Sequence, residues 1–363
     1  FQQPFAGVGA GVGGVGSPLG GAAGAANPNN DLPVQPPPGD SVSSLCFSPV
    51  SNFLISTSWD NEVRCYEVAP NGATEGKART QHDAPVLCSA WRSDGGAVFT
   101  AGCDRQVKLW DLQSQQHTPI GQHEAPIRHL QYIQELNMVV TGGWDNKLNY
   151  WDTRQPSPAM TYQLPERCYA LSCVHPLLVV GTADLSILMF HLSNPQQPYK
   201  QIKTALKHQT RCIATFPNAQ GFLIGSIEGR VAVQYVDENP AMNQKNFNFK
   251  CHRVSSGQSD EVYAINHITF HPRYGTFVTA GSDGTYHFWD KDSKQRLKAM
   301  ARNSQPITAG AFNHDGSIYA YSACYDWSEG HQKHNPATAS NNIFLHQVTK
   351  AEAEPRPSRQ TKR

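Results

Sequence analysis

The chain has 363 residues, 39% hydrophobic and 10% aromatic, enough for a substantial core, and its formal net charge is +1. That balance excludes global steering toward nucleic acid or membrane, so any electrostatic function must come from a local patch. The nine cysteines, odd in number and without a Cys-x-x-Cys pair, read as buried reduced thiols of an intracellular protein rather than a disulfide framework, and no apolar run approaches the roughly 18 residues of a membrane span.

Residues 1–30 are Gly/Ala-rich with almost no charge or large apolar side chains. Such a segment cannot bury enough surface to offset its ordering entropy, so the expectation is a disordered tail. It also lacks the charged start and Leu-rich centre of a secretory signal. Pro36-Pro37-Pro38-Gly39 then forms a stiff lead-in.

From Ser41 onward the text repeats. Aligned on a turn acid, the units carry Asp60, Asp104, Asp145, Asp184, Glu228, Asp283 and Asp326, spaced 39 to 55 residues apart. Six residues after each of the first six stands a mostly aromatic position: Tyr66, Trp110, Trp151, Phe190, Gln234 and Trp289. An apolar strand precedes each acid, as in Phe53-Leu54-Ile55 or Leu178-Val179-Val180, and an earlier strand ends in a turn such as Phe47-Ser48-Pro49. Asp and Asn favour these turns because their side chains bond nearby backbone, and alternation such as Leu148 and Tyr150 against Lys147 and Asn149 is the period of a half-buried strand. A period of about 40–45 residues with several strands and Trp-Asp endings resembles the WD-repeat β-propeller. The expected fold is all-β, a seven-bladed WD-repeat β-propeller over 31–350, between the tail of 1–30 and a basic C-terminal tail of 351–363.

In units two and three a His precedes the first strand (His82, His123), a Thr sits four before the acid (Thr100, Thr141) and a Trp six after it (Trp110, Trp151). By resemblance to WD repeats, His82, Thr100, Asp104 and Trp110, and likewise His123, Thr141, Asp145 and Trp151, form a hydrogen-bonded network tying the inner strands of a blade. Serial repetition makes this structural rather than hydrolytic. Units four (Val180) and five (Ile224, Glu228, Gln234) depart from the pattern and should lean on apolar packing. An open ring would expose sheet edges, so a fourth strand for blade seven is expected near Leu32-Pro33-Val34, beside Ile343-Phe344-Leu345.

Chemistry is scarce. There is no Gly-x-Ser-x-Gly elbow, Walker loop or His-Glu-x-x-His motif. Glu329, His331 and His334 sit in a Gly/Asn/Pro loop that argues against a metal, so neither enzyme, cofactor nor metal is expected. Three features suit binding. Trp59, Trp144 and Tyr325 precede turn acids at the ring's face, where large aromatics serve as interface anchors. The run from Trp289 to Lys298 and the insertion containing Phe247, Phe249, Lys250 and Arg253 place cations beside rings, as single-stranded nucleic acid requires.

The runs Ser58-Trp59-Asp60-Asn61-Glu62-Val63-Arg64-Cys65-Tyr66, Phe249-Lys250-Cys251-His252-Arg253, Phe288-Trp289-Asp290-Lys291-Asp292 and Tyr325-Asp326-Trp327-Ser328 closely resemble the messenger-RNA export WD-repeat family of the nuclear pore (Gle-two/Rae-one), from about Asp31 to the C-terminus. The resemblance implies a propeller that binds the GLEBS segment of a phenylalanine-glycine (FG) nucleoporin and single-stranded RNA, works alongside mRNA export factors and does not insert in membrane. It implies residence in the nucleus, at the nuclear pore complex of the envelope, with shuttling to the cytoplasm. Carried over by position, Lys250, Arg253, Lys291, Lys294 and Arg296 become nucleic-acid residues, and charge reversal at Lys291 and Arg253 should weaken RNA binding selectively. Trp59, Trp144 and Tyr325 are the nucleoporin candidates by geometry. The alternative is the related spindle-checkpoint propeller, which reads GLEBS segments of checkpoint kinases.

Overall fold

The computed structural model describes residues 27–155, 157–237, 244–255 and 257–356. Its strands assemble into seven four-stranded antiparallel sheets and one two-stranded hairpin. Blade one joins Val42–Phe47, Phe53–Ser58, Glu62–Val68 and Thr74–Gln81 in sequence order. Blades two to six repeat that order over 86–122, 127–163, 168–203, 210–250 and 265–299. The first strands lie side by side and close a ring, with the strand of blade seven, Ile307–Phe312, against that of blade one. The fold is the expected seven-bladed propeller.

Alternation explains the layering. Inner strands are buried on both faces and read as near-continuous apolar runs, such as Leu177–Thr182, whereas fourth strands alternate, as in Phe247–Lys250. The cores lie between blades: Ile55, Val63 and Cys65 of blade one pack on Val86, Trp91, Val98 and Trp110 of blade two. Blades four and five, lacking the polar network, share a core that includes Leu177, Val179, Ile187, Ile213, Phe222 and Ile224. Glu228, the turn acid of unit five, accepts from the Lys207 backbone N–H at 3.0 Å, as Asp145 does from that of Glu124.

Both termini complete blade seven. Leu32–Pro33 pairs with Asn342–Gln347, Leu32 opposite Leu345, and the Val34 N–H donates to Ile343 O at 2.8 Å. Asp31 is buried there, accepting from His346 Nδ1 (2.7 Å) and from the hydroxyls of Tyr321 (2.7 Å) and Tyr286 (3.2 Å). His346 Nε2 reaches Glu352 at 3.3 Å. Burial opposes charge on His346, yet the Asp31 and Glu352 carboxylates hold its pKa above the ordinary value.

Residues just outside the expected propeller boundaries also pack on it at each end. Ahead of Asp31, Asn29 exchanges hydrogen bonds with the backbone of Ala301 (2.9 and 3.2 Å). Behind residue 350, the short helix Lys350–Ala353 buries Ala353, whose carbonyl accepts from Thr276 Oγ1 at 2.7 Å. Arg356, within the expected basic tail of 351–363, donates to Leu297 O at 3.1 Å. The rest of both expected tails, 1–26 and 357–363, lies outside the described residues. All nine cysteines are free thiols, and burial pushes those of Cys88, Cys168 and Cys212 up to about 12. Among the described residues no helix is long and apolar enough to cross a membrane.

Candidate peptide and nucleic-acid interfaces

The polar network forms, with one exception. In blade three, His123 Nδ1 meets Asp145 at 2.9 Å, its Nε2 meets Thr141 at 2.7 Å, and Trp151 Nε1 donates to Thr141 at 2.8 Å. Burial works against the Asp145 charge, but the His123 hydrogen bond and two backbone N–H donors hold its carboxyl below the usual range. In blade two, His82 meets Asp104 and Thr100, each at 2.8 Å. The expected Trp110 member is wrong: its Nε1 finds no partner. His117, opposite Trp110 on the fourth strand, stacks parallel to that indole at 6.2 Å and bonds Thr80.

Sequence reasoning missed a complete network in blade six. His252 bonds Asp283 and Thr279, each at 2.8 Å, and Trp289 Nε1 donates to Thr279 at 2.9 Å. It was hidden because His252 stands 31 residues before its acid, against 22 in blades two and three. The hairpin Arg253–Ser255/Asp260–Val262 fills the difference. The Thr279–Asp283–Trp289 spacing, identical to that of the other two units, was the available signal.

Antiparallel order puts the second-to-third turns of all blades at the end where first strands enter. Trp59 and Trp144 stand there, 46% and 43% exposed. The third expected anchor, Tyr325, is only partly exposed and is pinned by its hydroxyl to Gly330 O at 2.7 Å. Its neighbour Trp327, 45% exposed and held at φ +60°, is the outward ring, stacked on His334 at 4.8 Å. Trp144 packs on Tyr169 at 6.4 Å, and Arg167 covers that ring at 5.7 Å.

The channel mouth on this face carries charge that the sequence did not announce. Every first strand has a bulge near its entry, at Ser43, Leu87, Arg128, Tyr169, Arg211, Asn266 and Thr308. A bulge re-aims its side chain, and six of these seven line one cavity of about 400 Å³ in which no carboxylate takes part. Burial and the neighbouring Arg211 hold the Arg128 guanidinium below its usual value. Arg211 has Asn266 Oδ1 at 3.2 Å for a partner, not an acid. Charge walled in this way is costly unless an anion compensates it.

The basic residues spread along the seam between blades five and six. Phe249 meets Trp289 at 4.7 Å and Phe247 at 6.2 Å. Lys294 Nζ lies 4.7 Å over Phe247, and the Arg296 guanidinium 5.8 Å over Trp289, both within cation–π reach. Lys291 is different: its side chain is 10% exposed, ion-paired with Asp292 at 2.7 Å and laid over buried Phe216. Lys250 is exposed at the far end of its strand, about 10 Å from Phe247 by strand rise. Arg253 donates to Glu228 O at 2.6 Å and Gly229 O at 3.4 Å, and meets Asp260 at 3.6 Å. Arg253 and Lys291 therefore each hold partners within the fold.

This fold and its repeated network define a WD-repeat protein. The WD domain, G-beta repeat family matches residues 33–67, 76–111, 113–152 and 249–290. The chain is 58% identical to Protein RAE1 of Arabidopsis thaliana over 335 residues, covering 91% of this chain and 94% of that one. It is 47% identical to the mRNA export factor of Xenopus tropicalis (88% and 89% covered) and 45% to the Poly(A)+ RNA export protein of Schizosaccharomyces pombe (91% and 94%). The chain belongs to the RAE1/mRNA export factor family.

Proposed function

We propose that this chain is a non-enzymatic adaptor in mRNA export at the nuclear pore. Its tryptophan-bearing face takes the GLEBS segment of an FG nucleoporin, and its blade five–six seam takes single-stranded RNA. One observation carries the reading: Trp59, Trp144 and Trp327 surround a channel mouth holding Arg128 and Arg211 without an acidic partner. Exposed indoles beside partly buried guanidinium groups that have no acidic partner favour an extended segment with apolar anchors and carboxylates over the channel. A segment that folds on this face trades affinity for a large contact. The ladder Phe247–Phe249–Trp289 with Lys294 and Arg296 offers bases a stacking platform and phosphates a counter-charge.

In this reading the protein acts in the nucleus and at the envelope's pores, moving with export factors into the cytoplasm. The relatives' export names favour this role over the spindle-checkpoint alternative. The test is binding of a fluorescent GLEBS peptide and of single-stranded RNA to purified protein across a salt series. Tight peptide binding with RNA affinity that falls steeply with salt is expected. Failure of the GLEBS peptide to bind would overturn the adaptor role, and recovery of kinase segments alone would transfer it to the checkpoint.

A further inference from the structure

In the blades that carry a polar residue four positions after the turn acid, that residue meets the acid or its histidine. In blade one Arg64 meets Asp60 at 2.7 Å, and in blade two Lys108 meets Asp104 at 3.2 Å. Blade three uses the amide of Asn149, 3.2 Å from His123. Blade six places His287 there, 8% exposed, its ring 5.0 Å from that of His252.

Side chains converge on one point in blade six. Thr285 Oγ1 lies 2.8 Å from Asp283 Oδ2, 3.1 Å from His287 Nε2 and 3.3 Å from His252 Nδ1. One hydroxyl proton can serve Asp283 or His287 but not both. The other ring nitrogen of His287, Nδ1, is buried with no partner at all. A buried imidazole left short of partners in this way is uncommon in a folded protein.

We propose that blade six holds a divalent transition-metal site, suited to Zn²⁺, with His252, Asp283 and His287 as its ligands. One ligand atom from each lies within 4.8 Å of the others, so adjustments of roughly 1 Å, with the 2.8 Å His252–Asp283 pair parting and His287 closing in, bring them to Zn–N and Zn–O distances near 2.0–2.2 Å. Two imidazoles and a carboxylate are a donor set that zinc accepts, with the Thr285 hydroxyl or a water as fourth ligand. The supporting shell is in place, because His252 Nε2 is held by Thr279, which Trp289 holds in turn. Binding is ligand exchange without redox: the proton between His252 Nδ1 and Asp283 leaves to solvent as the metal takes its place. The metal would clamp the loop that carries Arg253 to the strand that carries Trp289, stiffening the seam.

The test uses tag-free full-length protein, stripped with chelator and titrated with Co²⁺ and then Zn²⁺. The expected result is one equivalent of Co²⁺ with the visible absorption of four-coordinate geometry, displaced by Zn²⁺, and a Tm that rises with metal. In His287→Asn, which copies blade three, the metal-free Tm stays near wild type while the absorption and the metal-dependent rise vanish. A His331→Ala/His334→Ala variant keeps both. Absence of the band in wild type, or its persistence in His287→Asn, would overturn the proposal.

Discussion

The tryptophan face and the blade five–six seam are built from the same strands by opposite means. On the face, aromatic side chains stand on tight turns whose Asp side chains are held within the fold, as Asp60 is by the Glu62 N–H at 3.0 Å and by Arg64 at 2.7 Å. The rings of Trp59, Trp144 and Trp327 remain 43–46% exposed. Along the seam the cations are divided: Lys291 and Arg253 are spent on the fold, while Lys250, Lys294 and Arg296 remain outward. A charge count in sequence overstates the second surface, and a hydropathy reading understates the first.

The largest effect should come from the face. Trp59→Ala combined with Trp144→Ala should weaken GLEBS peptide binding by about 2 kcal/mol or more per anchor. Fluorescence anisotropy reads the loss, and a Tm within a few degrees of wild type shows that exposed rings were removed. An equal fall in RNA affinity would break the separation of surfaces. Next, Lys291→Glu places a second carboxylate beside Asp292 against an apolar floor and should cost about 1–3 kcal/mol in urea unfolding. The exposed pair Lys250→Glu and Lys294→Glu should leave stability unchanged, lower RNA affinity about tenfold at low salt and reduce the salt slope by about 2.

Two smaller effects sharpen the same contrast between spent and free groups. Trp151→Phe should cost about 1 kcal/mol more than Trp110→Phe in thermal or urea unfolding, since only Trp151 donates a hydrogen bond. The His346 clasp should show in the pH dependence. Its folded pKa is raised, so its stabilisation is complete below the unfolded value of about 6.5 and is lost as pH rises through the folded value. Thermal scans across that window should show a decline that His346→Gln abolishes.

Periodicity made the fold legible. The turn acids counted the blades, and Leu32-Pro33-Val34 beside Ile343-Phe344-Leu345 located the closure, because both depend on local turn and strand chemistry. What stayed hidden depends on register or on neighbours. The bulges that aim Arg128 and Arg211 into the channel leave no mark on residue type. His252 sits in a basic run, and the hairpin after it stretches the spacing to its acid. Trp110 fits the pattern in sequence, yet its Nε1 has no partner in the fold. Lys291 and Arg253 look like free cations until their partners are seen.

The most direct test of a two-surface adaptor is simultaneous occupancy. Labelled single-stranded RNA would be titrated with protein, with and without saturating GLEBS peptide, and the particle sized by analytical ultracentrifugation. Separate surfaces predict a ternary particle and an RNA affinity changed less than about threefold by the peptide, a coupling below about 1 kcal/mol. Displacement of RNA by peptide would contradict the account.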